Sequence, residues 1–281
     1  MRRTFILLCL CASAAAFSQP TTTLNTTAGS FTIQSGSYTS ASNTTMSGLS
    51  NYTPVTGGDH SFRQTWSYRQ QGDTREYNVA SPSATFVPGN PWQATLFKGP
   101  GNSNTGTPTL RFDVTYDLTS ITPTAPLLHA NLCVTNLTNA PIQVSAFYYL
   151  DLDIPNAFVP SISNDTLAVF GNGFLVRQSD SVNPSFYAEV LATGAVAFQH
   201  GNQYESLFTN GLTENLNNSI NATFGDLVMG FQWDCVIPPG DCCPADVYVS
   251  LGAPVPEPAS LLGLAIPLAV VARRRRAARK V

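Results

Sequence analysis

Leu110-Arg-Phe-Asp-Val-Thr-Tyr-Asp-Leu118 alternates without a fault. Leu110, Phe112, Val114, Tyr116 and Leu118 fall on one side; Arg111, Asp113, Thr115 and Asp117 fall on the other. A repeat of two marks a half-buried β-strand, because successive side chains leave a strand on opposite faces. Leu128-His-Ala-Asn-Leu-Cys-Val134 repeats the pattern. After the turn sequence Asn136-Leu-Thr-Asn-Ala-Pro141, the stretch Ile142 to Ile154 keeps Ile142, Val144, Ala146, Tyr148, Leu150, Leu152 and Ile154 in one register. These last two segments read as a hairpin.

Outward from this centre, strands are expected at 30–34, 65–69, 76–79, 92–97, 166–170, 174–177, 186–198, 227–234 and 247–251. Gly99-Pro-Gly-Asn102, Gly171-Asn-Gly173 and Pro238-Pro-Gly-Asp241 punctuate them as turns. No stretch of the body carries a long helical apolar stripe. The expected fold class is all-β, an antiparallel β-sandwich. Residues 59–252 form its body, and residues 17–58, rich in Ser, Thr and Asn, form a weakly structured or edge-strand segment before it.

The two ends read as addresses. Arg2 and Arg3 precede an apolar run from Phe5, and Ala14-Ala15-Ala16 fits a small-x-small cleavage site, so residues 1–16 are expected to be a secretory signal peptide. Cys11 follows Leu10 where lipidation needs a small residue, which sets a lipoprotein aside. At the other end, Val255-Pro256-Glu257-Pro258-Ala259-Ser260 leads into the apolar run Leu261 to Ala272 and then Arg273, Arg274, Arg275 and Arg276. The charge-free stretch from Ala259 spans fourteen residues, roughly 21 Å as a helix against a hydrocarbon core of roughly 30 Å. Arginine snorkelling closes part of that gap. The arginines would stay cytoplasmic, which places the body outside the inner membrane.

The segment 253–281 resembles the PEP-CTERM sorting domain of Gram-negative-type bacteria: the Pro-Glu-Pro motif, a short apolar helix and an Arg cluster stand in that order at the C-terminal end. The resemblance covers about a tenth of the chain. It implies recognition by an exosortase near Pro256-Glu257-Pro258. It also implies an inner-membrane intermediate followed by delivery to the cell envelope, outer surface or extracellular matrix, often among exopolysaccharide.

Eight of the fourteen Lys and Arg residues lie in these end segments, against one of the seventeen acids, so residues 17–255 carry a net charge of about minus ten. That balance disfavours a nucleic-acid partner, which needs cations facing phosphate. Cys133, Cys235, Cys242 and Cys243 remain in the body and fit an oxidising compartment. The expected pairing is Cys235 with Cys242 or Cys243, across the Pro238-Pro-Gly turn, and Cys133 with the other.

Little in the body announces chemistry. His60, His129 and His200 stand in no recognisable motif, and no nucleophile elbow, zincin helix, phosphate loop or dinucleotide fingerprint is present. The body is therefore expected to lack catalytic activity and to need no cofactor. The one cation reading is Ca²⁺ at Asp151, Asp153 and Asp165, on a strand end and the loop after it. Trp66, Tyr68, Tyr77, Trp92, Phe147 and Tyr149 are candidates for a sugar-stacking face, and Phe147 and Tyr149 point opposite to the apolar register of their strand. The leading functional expectation is a structural or adhesive surface protein. The alternative is a carbohydrate-binding module for matrix polysaccharide, with a secreted hydrolase third.

Overall fold

The computed structural model describes residues 21–34, 50–54, 63–79, 84–122, 125–152, 154, 165–182, 184–202 and 215–252. The signal segment 1–16 and the sorting tail 253–281 lie outside the described residues, as does Asp153. Among the described residues regular structure is β-strand, with two short 3-10 turns at Pro100–Asn102 and Gly171–Gly173, and no helix is long and apolar enough to cross a membrane. The all-β, sandwich-like expectation holds.

Three sheets form. β1 (Thr21–Asn25), β2 (Gly29–Gln34) and β3 (Ser50–Pro54) make a small antiparallel sheet. A six-stranded sheet is built from β4 (Arg63–Gln70), β5 (Tyr77–Asn78), β10 (Ile142–Asp151), β14 (Ala197–Gly201), β15 (Ser219–Ile220) and β17 (Val228–Ile237), in the order β15-β14-β17-β10-β4-β5. A nine-stranded sheet takes β6 (Thr85–Val87), β7 (Trp92–Lys98), β8 (Leu110–Thr122), β9 (Ala125–Asn136), β11 (Asp165–Phe170), β12 (Leu175–Asp180), β13 (Tyr187–Thr193), β16 (Phe224–Gly225) and β18 (Cys242–Leu251), in the order β16-β11-β12-β13-β18-β9-β8-β7-β6. Neighbours run antiparallel except β14 and β15.

The alternation read from residues 110–118 is the burial pattern of β8: Leu110, Phe112, Val114, Tyr116 and Leu118 are all at most 2% exposed. They pack across the sandwich with Trp66, Tyr68, Tyr148, Phe231 and Trp233 of the six-stranded sheet. The Trp66 and Tyr148 rings meet tilted with centroids 4.5 Å apart, as do Tyr68 and Phe112 at 4.5 Å. Leu24, Phe31 and Ile33 of the small sheet join the same core, with Phe31 5.5 Å from Tyr116.

Two expectations are corrected. Residues 128–134 and 142–154 are not a hairpin: β9 pairs with β8 and β18, whereas β10 pairs with β4 and β17 in the other sheet. Two strands with one apolar face each bury those faces equally well face to face as side by side, so alternation does not choose between them. The choice is made at the corner. Buried Asn136 donates its amide to the carbonyl oxygens of Ala140 (2.7 Å) and Ile237 (2.8 Å), while its Oδ1 accepts from Thr138 N (2.8 Å). The expected single strand 186–198 is likewise two, β13 and β14, in opposite sheets. Gly194 turns the chain between them at φ +72°, a left-handed conformation that glycine adopts without steric cost.

The expected disulfides form as Cys133–Cys242 and Cys235–Cys243. Cys235 and Cys243 lie on either side of the Pro238-Pro-Gly-Asp241 turn, which crosses from β17 in one sheet to β18 in the other. Cys133 and Cys242 bridge neighbouring strands, with Cα atoms 5.7 Å apart.

Candidate functional site

The outer face of the six-stranded sheet carries a connected set of polar side chains. Antiparallel register lines its side chains up in rows across β4, β10, β17 and β14. Arg69, Ser145 and Asp234 form one row, Ser67, Phe147, Gln232 and Ala197 the next, and Thr65, Tyr149, Gly230 and Gln199 a third. Directly opposed residues on one face are within contact distance, so each row is a chain of neighbours.

Hydrogen bonds run along and between the rows. Ser145 Oγ donates to Asp234 Oδ1 at 2.7 Å, and Gln232 Nε2 reaches the same oxygen at 2.9 Å and Asn215 Oδ1 at 3.2 Å. Arg69 gives one guanidinium nitrogen to Asn215 and the other to Glu76, whose side chain is only 2% exposed. The guanidinium lies 5.4 Å from the centre of the Phe147 ring, a cation–π arrangement. Ser67 Oγ donates to Asn78 Oδ1 at 3.1 Å, and the Tyr149 hydroxyl reaches Asp151 at 3.4 Å.

Residues 215–216 sit over one side of this face. Leu216 N donates to Gln232 Oε1 at 2.8 Å, and Leu216 packs with Phe147 and Ala197 in an apolar cluster separate from the main core. Gly230 makes room for that approach: a Cβ there would stand 3.3 Å from Gln199 O and 3.4 Å from Leu216 Cδ1. Phe147 and Tyr149 do point away from the sandwich core, but at 1% and 5% exposure they form a covered floor, not an open stacking platform. Trp66, Tyr68 and Trp92 belong to the core, and Tyr77 packs against it half-buried. What remains open to a ligand are the polar edges: Asp234 and Asn215 are exposed, with Ser145 and Arg69 half-buried beside them.

The outer face of the nine-stranded sheet carries a second polar group. His129 Nε2 is 2.7 Å from Asp246 Oδ1, Asn131 Nδ2 donates to that oxygen at 2.9 Å, and the His129 ring lies 4.4 Å from Tyr248 with the planes 4° apart. The two partners are 117 residues apart, so neither spacing nor motif announced them. His200 has no such role. It is fully buried, stacked on Phe198 and hydrogen-bonded to Gly173 O at 2.8 Å, and burial lowers its pKa to about 4.

The Ca²⁺ candidates divide. Asp151 ends β10 on the outer face, bonded by Tyr149, whereas Asp165 is 1% exposed and accepts from Gln178 Nε2 at 2.6 Å. Among the described residues no three acids, histidines or cysteines come together to hold a metal.

No family model matches the chain, and no curated protein matches it in sequence. Solved structures do match its fold. A galactose mutarotase related enzyme from Lactobacillus acidophilus superposes over 85% of this chain and 99% of its own with a TM-score of 0.53, at 10% identity. The Slr1438 protein of Synechocystis covers 84% of this chain and 96% of its own, with a TM-score of 0.50 at 8% identity. A putative aldose 1-epimerase of Escherichia coli gives 0.46 at 10% identity. The fold is thus shared with an enzyme of carbohydrate chemistry. That overturns the expectation of a body without catalytic activity, which rested on missing motifs, because the same fold occurs in an enzyme.

Proposed function

We propose that the protein binds carbohydrate at the outer face of its six-stranded sheet, and that it adheres to matrix polysaccharide through that face. The observation that carries the reading is the bonded chain Ser145–Asp234–Gln232–Asn215–Arg69 above Phe147. Sugar hydroxyls both donate and accept, and planar carboxylate, amide and guanidinium groups held in place by one another match that need without loss of side-chain freedom on binding. The fold shared with the galactose mutarotase related enzyme supports the same chemistry.

In this reading the chain leaves the cytoplasm by its signal at 1–16, is held through the apolar run before Arg273–Arg276, and is handed to an exosortase at Pro256-Glu257-Pro258. The two disulfides suit an exported body. A glycan array probed with the protein, run beside an aldose mutarotation assay, tests the function. Binding or turnover that falls on Asp234→Ala supports it; no glycan signal and no turnover contradicts it.

A further inference from the structure

We infer that the paired ends of β11 and β12 hold a hard divalent cation, Ca²⁺ by preference, through the carboxylates of Asp165 and Asp180 and the side-chain carbonyl of Gln178. Asp165 and Asp180 are register partners in an antiparallel ladder, so their side chains leave the same face directly opposite each other. That face is the inner one: Asp165 is 1% and Asp180 0% exposed.

Gln178 supplies the observation that points to a ligand. It stands two residues before Asp180 on the same face of β12 and is fully buried. Its Nε2 donates to Leu152 O at 2.5 Å and to Asp165 Oδ2 at 2.6 Å. Two acceptors on the nitrogen fix the amide orientation, because a flipped amide would set oxygen against oxygen. Its Oε1 is then buried with no hydrogen-bond partner. A buried carbonyl oxygen without a donor costs about 1–3 kcal/mol.

A cation bound beside these carboxylates would give the orphaned oxygen a partner. All three groups are hard oxygen ligands, and Ca²⁺ accepts mixed carboxylate and carbonyl shells with irregular geometry, where Mg²⁺ demands a near-ideal octahedron. The neighbouring Arg177 points to the opposite face of β12 and pairs there with Glu189. Backbone N–H groups of Ile154 (3.2 Å) and Val182 (2.9 Å) orient Asp165 Oδ2 and Asp180 Oδ1.

The test is calorimetric titration of the metal-stripped full-length protein with CaCl₂ and, separately, MgCl₂, with the melting temperature followed in parallel. One saturable Ca²⁺ site that raises the melting temperature is expected, with Mg²⁺ much weaker. Asp180→Asn should weaken it about tenfold or more, and Gln178→Met, which keeps the volume but removes the carbonyl ligand, should weaken it too. No saturable Ca²⁺ heat in the wild type overturns the proposal. So does binding that neither substitution changes, since the net acidic surface would then be its source. Should Asp180→Asn not fold, the wild-type titration and Gln178→Met still decide.

Discussion

Cys235 of the six-stranded sheet is bonded to Cys243 of the nine-stranded sheet, their Cα atoms 6.0 Å apart, so the corner between β17 and β18 is closed covalently. The bond spans eight residues, whereas Cys133–Cys242 spans 109. In the chain-entropy account the longer loop restricts the unfolded chain more. Cys133→Ser with Cys242→Ser should therefore cost about 5 kcal/mol, and Cys235→Ser with Cys243→Ser about half of that. Denaturant melts of the two double variants check the order; equal costs would contradict it.

Two arginine pairs should differ sharply. Glu76 is 2% exposed beneath Arg69, while Arg111 and Asp113 are 40% and 35% exposed. Arg69→Ala removes the guanidinium partner of a buried carboxylate and should cost about 3 kcal/mol. Arg111→Ala breaks a surface pair and should cost less than about 1 kcal/mol. Thermal unfolding of both variants at one pH provides the comparison.

Acid should weaken the fold through His200. Burial holds its folded pKa at about 4, below the ordinary 6.5, so the unfolded chain binds more protons between those values. Stability from this group is full above pH 6.5 and is lost as pH falls toward 4, by up to about 3 kcal/mol. His200→Phe should flatten that part of the stability profile. An unchanged slope between pH 6.5 and 4 would assign the acid sensitivity elsewhere.

Glycine at 173 is required twice. Its φ of +89° favours glycine, and a Cβ there would lie 2.0 Å from Phe198 Cε1. Gly240 shares the positive φ, at +77°, but a Cβ there meets nothing within 4 Å. Gly240→Ala should cost about 1 kcal/mol, the backbone strain alone, and Gly173→Ala clearly more, because the Phe198 ring must move. Equal melting temperatures for the two variants would rule out the ring contact as a constraint.

The strands were legible because one-face burial writes itself as alternation; β8 follows its sequence pattern residue for residue. Cysteine partners were legible because the turn between Cys235 and Cys242 narrowed the choice. Sheet membership was not, since it turns on Asn136 bonding across the corner to Ile237, 101 residues away. The polar face was only half legible. Phe147 and Tyr149 stood out on the polar side of β10, but as an expected stacking face that the fold instead covers, and Arg69, Asn215 and Gln232 are unremarkable polar letters until register lines them up. Missing catalytic motifs were weak grounds for expecting no activity, because residues that meet only in the folded sheet leave no local signature.

The most direct test of carbohydrate recognition at the six-stranded face is a calorimetric titration of the best glycan ligand into three proteins: wild type, Asp234→Ala with Asn215→Ala, and His129→Ala with Asp246→Ala. Both pairs of residues are exposed or half-exposed. The account predicts that the first double variant loses binding at least about tenfold, near 1.4 kcal/mol, while the second binds as the wild type does. Binding that survives the first and fails in the second would move the site to the nine-stranded face and contradict the account.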